Sequence, residues 1–265
     1  MQLCATADVA QNLAVTKDRS ARCADDGAEV VFLPEGFCYV GSDAERVAHH
    51  EELVRGGPIL DCCRQLATRH GVHVVAGGYP EDAGEGKAFN TCFHLTPDGE
   101  LGSVYRKIHL FDVDLADGTR FQESLNTVAG SELATADLPF GRLGLSVCYD
   151  LRFPLLYQAL VDLGAIALAV PAAFTHTTGR SHWHVLLRAR AIECQSWVIA
   201  PGLWGEHGYA NRRSYGHSLV ADPWGRVVAE VKQEADGHAV ACIDPASVHE
   251  MRSQLPSLAN RGVWQ

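Results

Sequence analysis

Short apolar runs recur along the chain, and turn-forming residues separate several of them. Runs rich in β-branched and aromatic residues predict strands. The predicted strands cover 30–33, 72–77, 91–95, 101–108, 143–148, 166–170, 197–200, 218–221, 226–231 and 239–243. The sequences PDG at 97–99 and DPWG at 222–225 are turn sequences between neighbouring runs, so they predict hairpins.

Helical patterns alternate with these strands. Apolar residues at three- and four-residue spacing predict helices at 12–24, 59–69, 155–163 and 183–195. Pro58 and Pro154 stand where two of these helices would begin, and proline is tolerated in a first turn. The continuous apolar run at 165–170 predicts a strand buried on both faces. Since the hairpins argue against a purely parallel sheet, the pattern predicts an α/β fold with two packed mixed sheets between helical layers.

Composition and charge narrow the class of protein. The chain has 265 residues and a net charge of −10, and it shows no basic stripe of the kind nucleic-acid binders carry. No apolar run approaches the roughly 18–20 residues that span a bilayer. The first residues also lack the basic start and apolar core of a secretory signal. We therefore expect an acidic cytoplasmic protein with a single domain and neither nucleic-acid nor membrane partners.

Cysteines and histidines give no sign of a metal site or a disulfide framework. The nine cysteines are odd in number and never spaced C-x-x-C, and the thirteen histidines form no H-E-x-x-H. The fragment around Gly84 and Gly86 matches no nucleotide-binding fingerprint. The sequence therefore predicts no metal and no cofactor, with most thiols buried as small apolar side chains.

Three predicted strands end at a residue that can do chemistry: Glu35, Lys107 and Cys148. Strand ends are where α/β proteins place catalytic groups, because a sheet can aim several of them into one crevice. Cys148 lies between a strand and a turn, where a thiol is exposed and nearby N–H groups can face an oxyanion. Glu35, held against apolar walls, is expected to have a raised pKa and to act as a base and then an acid.

Each of these residues also has a purely structural interpretation. Cys148 could be a thiol packed in the core, Glu35 a glutamate in a solvated loop, and Lys107 a lysine at a strand edge that faces water. Spacing alone does not show that the three converge. A thiol hydrolase with a Cys–His pair, using His109 or His176, stays open as an alternative. So does an inactive protein that serves as a binding or scaffold partner.

Several strings resemble the motifs of the nitrilase superfamily of carbon–nitrogen hydrolases. The three catalytic motifs are matched in order and separation by LPEGF at 33–37, YRKIHLFD at 105–112 and GLSVCYDLRFP at 144–154, and the fourth functional position by FQES at 121–124. PAAFTHTTG at 171–179, HWHVLLRARAIE at 182–193 and SYGHSLVADPWG at 214–225 extend the resemblance over nearly the whole chain. The strings are most similar to the branch with deaminated glutathione amidase and ω-amidase.

The resemblance implies a single carbon–nitrogen hydrolase domain over 1–265, folded as a four-layer α-β-β-α sandwich. It implies assembly into homodimers across helical faces or into higher homo-oligomers. It also implies hydrolysis of a non-peptide amide through a thioester on Cys148. Glu35 would move the protons, and Lys107 with the N–H of Tyr149 would hold the oxyanion. Glu123 would orient Lys107 or the substrate.

The implied substrate is a small 2-oxo acid with a distal amide, and we expect deaminated glutathione, which gives 2-oxoglutarate and Cys-Gly. The ω-amidase substrate 2-oxoglutaramate, or the amide of another family member, is the alternative. Arg152 could grip a substrate carboxylate, although an ion pair with Asp150 is its simpler reading. Phe174 and Thr178 would supply a wall and a hydrogen bond at the acyl pocket.

Two departures from the family pattern stand out. Relatives begin with a short apolar strand that ends in Gln, whereas this chain begins at Met1-Gln2. We therefore expect a truncated first strand, which would leave a strand edge near Glu35 unpaired. Relatives also often have Glu where this chain has His184, so the polar contacts there are expected to differ.

Overall fold

The computed structural model describes residues 1–114 and 120–262, and the other positions of the predicted domain lie outside the described residues. The helices are α1 (Val9–Asp25), α2 (Asp43–Arg46), α3 (Pro58–His70), α4 (Pro154–Asp162), α5 (His176–Cys194) and α6 (Pro245–Gln254). The strands are β1 (Val30–Leu33), β2 (His73–Gly84), β3 (Lys87–Leu95), β4 (Leu101–Arg106), β5 (Asp112–Asp114), β6 (Arg120–Gln122), β7 (Thr127–Val128), β8 (Thr135–Leu138), β9 (Gly141–Leu145), β10 (Ala167–Ala169), β11 (Trp197–Ala200), β12 (Trp204–Glu206), β13 (Arg213–Tyr215), β14 (Leu219–Ala221) and β15 (Val227–Glu230). Short 3₁₀ turns cover Val47–His49, Glu123–Leu125 and Cys148–Arg152.

Two sheets carry most of the strands. The first has the order β1-β2-β3-β4, with β7 beside β3, and the second has the order β15-β14-β11-β10-β9-β8. In the second sheet β9, β10 and β11 run parallel, while β8, β14 and β15 are antiparallel to their neighbours. The first sheet also combines parallel and antiparallel pairs. Both sheets are therefore mixed, as predicted.

The helices cover the outer faces of the two sheets. One buried cluster joins α1 and α3 to the first sheet, with Leu66 among its members, and another joins α4 and α5 to the second sheet around Trp183. Val75 and Tyr105 of the first sheet belong to the second sheet's cluster, so the inner faces of the sheets pack against each other. The predicted four-layer α-β-β-α sandwich is confirmed. None of the helices in the described ranges is long and apolar enough to cross a membrane.

Nine of the ten predicted strands and all four predicted helices are confirmed, whereas the short strands β5, β6, β7, β8, β12 and β13 and the helices α2 and α6 were not predicted. Strands β1 and β11 have the predicted bounds, and the other matched elements differ mainly at their ends. The predicted strand at 239–243 is wrong: this segment pairs with no strand among residues 1–114 and 120–262, and it lines a cavity of about 310 Å³ together with β1, β11 and β14. Helix α6 was missed because it buries only Val248 and Met251, which gives almost no apolar periodicity.

The first residues lie between β1 and the 203–237 region. The Met1 amino group donates to the Phe32 carbonyl at 2.9 Å, and Met1 and Leu3 are buried. Gln2 pairs with Gly237, and Leu3 pairs with Leu203, as isolated bridges. These residues therefore cover part of the β1 edge through single contacts and not through a regular ladder.

A bulge in β2 brings its backbone against the loop that carries Glu35. The register of β2 and β3 shifts between Ala76 and Tyr79, and within this shift Gly78 adopts a left-handed φ of 72°. A Cβ at Gly78 would collide with the Gly36 nitrogen and the Glu35 backbone. Only glycine combines an unstrained left-handed φ with the absence of a Cβ, and this position requires both.

Gly78→Ala is expected to destabilise the fold and to displace the Glu35 loop. Gly84→Ala is the matched control, because Gly84 has a similar φ of 78° but open space around its Cα. The left-handed conformation costs either variant about 1–2 kcal/mol, and the collision is added only at position 78. Thermal melting and hydrolysis rates of both variants check this, and equal losses would contradict the close approach.

Candidate active site

Strand ends from both sheets deliver the predicted residues to one place. Glu35 follows β1, Lys107 follows β4, and Cys148 opens the 3₁₀ turn after β9. Glu123 opens the 3₁₀ turn after β6. The structure brings these four side chains together.

Lys107 is the centre of the cluster. Its side chain is 2% exposed, and its Nζ lies 3.2 Å from Glu35 Oε1 and 2.8 Å from Glu123 Oε2. Burial alone lowers the pKa of Lys107, but the charges of Glu123 and Glu35 more than reverse this and raise it. Lys107 is therefore an ammonium ion with a fixed direction.

Two N–H groups outside the predicted set complete the surroundings of Glu35. The side-chain amide of Asn90 donates to Glu35 Oε1 at 2.9 Å and to Glu123 Oε1 at 2.8 Å, and the Ala173 backbone N–H donates to Glu35 Oε2 at 2.8 Å. Burial raises the pKa of Glu35, but the Lys107 charge and these donors outweigh it and lower the pKa. The expected raised pKa of Glu35 is therefore wrong, because apolar walls were assumed where cationic and N–H donors are present.

Cys148 occupies a strained position at the turn. Its φ is 47°, which is uncommon for a residue with a side chain, and its N–H is occupied by the Pro171 carbonyl at 2.9 Å. Burial raises the pKa of the thiol, the Glu35 charge raises it further, and Lys107 only partly opposes this. In the resting state the sulfur therefore keeps its proton beside an ionised carboxylate.

The residue after Cys148 provides an open N–H and part of an aromatic wall. Within residues 1–114 and 120–262, the Tyr149 N–H has no backbone acceptor. The Tyr149 ring lies 4.9 Å from the ring of Phe111 and 5.3 Å from that of Phe153, between centroids. The turn can therefore offer a donor to a negative oxygen while its side chain closes one flank.

A buried carboxylate ties the lysine segment to the cysteine turn. Asp150 is fully buried and accepts hydrogen bonds from the Tyr105 hydroxyl at 2.8 Å, the Val147 N–H at 2.8 Å and His109 Nδ1 at 2.7 Å. The His109 ring is also stacked on Phe153, with 3.6 Å between centroids. Asp150 thus fixes the distance between the chain after β4 and the chain after β9.

The same contacts weigh against the Cys–His alternative. His109 is occupied by Asp150, and His176 lies at the first turn of α5 with its ring 6.1 Å from that of Tyr215. The charges that shift the pKa of Cys148 are those of Glu35 and Lys107. The geometry therefore favours the Glu-Lys-Cys arrangement.

Arg152 does not form the ion pair with Asp150 that the sequence allows. Because the Asp150 carboxylate is filled by other donors, Arg152 instead places Nη1 3.3 Å from His182 Nδ1, and its guanidinium carbon lies 5.0 Å from the Phe174 ring centroid. Phe174 is buried and packs on Trp183. Arg152 and Phe174 thus form one wall together.

Thr178 forms a local hydrogen bond within its own helix turn. Its hydroxyl lies 2.7 Å from the hydroxyl of Thr175, across the first turn of α5. Since each hydroxyl can donate one hydrogen bond and accept others, the pair still has capacity for a further partner.

One group in the described part of the chain offers three ligand-type side chains: His184, His217 and Glu230. His184 Nε2 and His217 Nδ1 each lie 2.8 Å from the same oxygen, Oε1 of Glu230. His217 has a left-handed φ of 54°, and its carbonyl accepts from the Trp183 indole at 2.8 Å. The three groups satisfy one another, so the cluster is complete as a hydrogen-bonded network that positions α5 against the loop before β14.

Comparison with known proteins shows which family this chain belongs to. The carbon–nitrogen hydrolase family model matches residues 1–253. The chain belongs to the carbon–nitrogen hydrolase family. The predicted family and the predicted reaction class, hydrolysis of a carbon–nitrogen bond in a linear amide, are therefore confirmed, and the four clustered side chains all lie within the matched range.

Relatives of this carbon–nitrogen hydrolase cover almost all of it. The chain is 40% identical to a deaminated glutathione amidase from Synechocystis, over 98% of this chain and 96% of the relative. It is 39% identical to the human protein of that name, over 98% of this chain and 80% of the relative. Its structure is similar to the crystal structure of the C. elegans NitFhit protein, with a TM-score of 0.91 and 37% identity, covering 98% of this chain and 63% of that longer one.

Proposed function

We propose that this carbon–nitrogen hydrolase is a cysteine-dependent amidase that hydrolyses the distal amide of a small 2-oxo acid, with deaminated glutathione as the preferred substrate. The observation that carries the chemistry is the buried contact of Lys107 with Glu35 and Glu123, 3.2 Å and 2.8 Å from Nζ, beside Cys148. In this setting the pKa of the Cys148 thiol is raised and that of Glu35 is lowered, so the carboxylate is the group that can take the proton of the thiol. The substrate class is supported by relatives that are deaminated glutathione amidases, at about 40% identity over nearly the whole chain.

The first half of the reaction forms a thioester. Glu35 takes the proton from the Cys148 sulfur as the sulfur attacks the amide carbon, and a carbon–sulfur bond forms. The carbonyl oxygen becomes an oxyanion, which Lys107 Nζ and the Tyr149 N–H stabilise. When the intermediate collapses, the carbon–nitrogen bond breaks and Glu35 returns the proton to the leaving amine.

The second half releases the acid. Water attacks the thioester carbon and gives a proton to Glu35, and the oxyanion forms again at the same donors. Collapse then breaks the carbon–sulfur bond, and the sulfur recovers its proton from Glu35. Glu123 acts in both halves by keeping Lys107 aimed, since it accepts from Nζ at 2.8 Å and 3.1 Å.

The acyl part of the substrate would lie against the wall formed by Arg152 and Phe174. Arg152 would bind one carboxylate, and the hydroxyl pair that includes Thr178 would add a hydrogen bond. The amide 2-oxoglutaramate has the same acyl part and differs in its leaving group, so it is expected as a weaker second substrate. Assembly into homodimers across helical faces, or into higher homo-oligomers, stays a prediction.

Loss of any member of the triad should abolish turnover in a protein that still folds. Lys107→Met should also lower the melting temperature, because it leaves the buried carboxylates of Glu35 and Glu123 without their cation. Cys148→Ala should be inactive, and Glu35→Gln and Lys107→Met should each lose at least about 10³-fold in kcat. Melting temperatures check folding, and iodoacetamide at alkaline pH should label Cys148 in step with inactivation. Activity within tenfold of wild type in any variant would remove that residue from the triad.

Asn90→Ala should move the acid limb of the kcat/KM profile to higher pH. The Asn90 amide helps to lower the pKa of Glu35, so removing it raises that pKa. Since turnover needs the Glu35 carboxylate, activity is then lost at a higher pH as the solution is acidified. An acid limb at the wild-type position would show that Asn90 does not act through Glu35.

A substrate panel tests the assignment. Deaminated glutathione should give the highest kcat/KM, followed by 2-oxoglutaramate, with a neutral aliphatic amide, an N-carbamoyl amino acid and a nitrile far below. Intact-protein mass should show the acyl thioester with the 2-oxo acid amides. Preference for either of the last two compounds would overturn the proposed substrate, and unchanged kcat/KM in Arg152→Lys would remove the Arg152 clamp.

A further inference from the structure

Two guanidinium groups, those of Arg46 and Arg212, have no partner in the described part of the chain. Arg46 ends α2, and Arg212 lies in the loop between β12 and β13. Both are half-buried, and neither side chain makes a hydrogen bond or ion pair with the described residues. A guanidinium carries five N–H donors, so groups without acceptors here are unusual.

The loop that presents Arg212 is held in a strained form. Ala210 and Asn211 both adopt left-handed φ angles, of 50° and 53°. Buried His207 fastens the loop, with Nδ1 2.8 Å from the Ala5 carbonyl and Nε2 2.8 Å from the Ser214 hydroxyl. Strained residues outside glycine persist where the surrounding structure fixes them, often at binding sites.

The strand after Arg212 runs directly alongside the catalytic segment. The Tyr215 N–H donates to the Phe174 carbonyl at 2.9 Å, and Ser214 pairs with Thr175. Phe174 and Thr175 follow Ala173, whose N–H holds Glu35. The position of Arg212 is therefore coupled to that of the catalytic carboxylate.

On its other side, Arg212 lies against the segment that carries Glu123. Its guanidinium carbon is 5.4 Å from the ring centroid of Phe121, two residues before Glu123. The Phe121 ring packs on Phe111, which in turn contacts Tyr149 of the cysteine turn. Arg212 thus lies at the flank of the same aromatic wall that closes the active site.

The electrostatics of this pair favour an anion. Burial lowers the pKa of Arg212, the charge of Arg46 lowers it further, and Asp43 and Glu35 oppose this only in part. The two guanidinium charges repel each other, and each is also partly removed from water. A bound anion would offset both the repulsion and the loss of hydration. A carboxylate also fits the planar fork of a guanidinium with two parallel hydrogen bonds.

We propose that Arg212 and Arg46 together bind a carboxylate group of the amide substrate. This inference rests on the proposed function, in which the substrate is the amide of a 2-oxo acid. Deaminated glutathione carries one carboxylate on its 2-oxo acid end and another on its Cys-Gly end. Arg152 and the Arg46–Arg212 pair would then each bind one of them, which explains a preference for a substrate with two charged ends.

The test compares Arg212→Gln and Arg46→Gln with wild type on deaminated glutathione, 2-oxoglutaramate and a neutral aliphatic amide. Arg213→Gln is the matched control, since the neighbouring Arg213 is exposed and paired with Glu234 at 3.0 Å. For each variant of the pair, the ratio of kcat/KM for deaminated glutathione to that for the neutral amide should fall about tenfold to a hundredfold. Arg212→Lys should recover part of the loss because it keeps the charge without the fork.

The substrates distinguish the two ends. A parallel fall for 2-oxoglutaramate assigns the pair to the 2-oxo acid carboxylate, and a fall for deaminated glutathione alone assigns it to the Cys-Gly carboxylate. Melting temperatures show whether each variant is folded. If Arg212→Gln is misfolded, the substrate ratios of Arg46→Gln alone decide whether the inference holds. Unchanged ratios in folded variants overturn the inference and leave the proposed function intact. If wild type itself prefers the neutral amide, the proposed function fails, and the inference fails with it.

Discussion

The buried ammonium of Lys107 between two carboxylates is the interaction on which the site depends. Moving charges out of water costs several kcal/mol each, and the cost is recovered only with close partners and satisfied donors. Here Lys107 contacts Glu35 and Glu123, while Asn90 joins the same two carboxylates from the side. Each group is tolerable in this interior only because the others are present. The cluster is therefore rigid before any substrate arrives, which is the condition for electrostatic catalysis.

This cluster also sets a requirement on the packing of the two sheets. Glu35, Asn90 and Lys107 come from the first sheet, whereas Cys148 and Ala173 come from the second sheet or the loops that follow its strands. The separation between the Glu35 carboxylate and the Cys148 sulfur is thus set by the separation between two packed layers. Val75 and Tyr105, which pack into the second sheet's core, hold that separation by apolar contact. The Asp150 contacts hold it by hydrogen bonds, so packing and polar contacts act on the same distance.

The sequence predicts the parts of this molecule whose signal lies in side-chain type and period. The layered α/β fold and strand-end positions of Glu35, Lys107 and Cys148 follow from apolar runs that stop abruptly. Asn90 could not be found this way, because a polar residue within a strand resembles any edge position. Ala173 carries no side-chain signal at all, since its N–H makes the contact.

Long-range geometry explains the other differences from the sequence predictions. The segment 239–243 has a strand-like composition, but it lies beside a cavity, and no strand in the described part of the chain pairs with it. Arg212 belongs to a basic loop sequence, and only the folded chain shows that its guanidinium is turned toward Phe121 without an acceptor among the described residues.

The proton that Cys148 keeps in the resting state has a consequence beyond catalysis. Oxidants and electrophiles attack a thiolate far faster than a thiol, and the path to sulfenic and sulfinic acids begins with the deprotonated form. Burial and the neighbouring Glu35 charge disfavour that form. The raised pKa therefore slows attack by peroxide and adventitious electrophiles on this sulfur. In the proposed mechanism, the proton moves to Glu35 only as the sulfur attacks a bound amide. In that mechanism, the Glu35 charge that receives the thiol proton during turnover is therefore also a charge that disfavours the thiolate between turnovers.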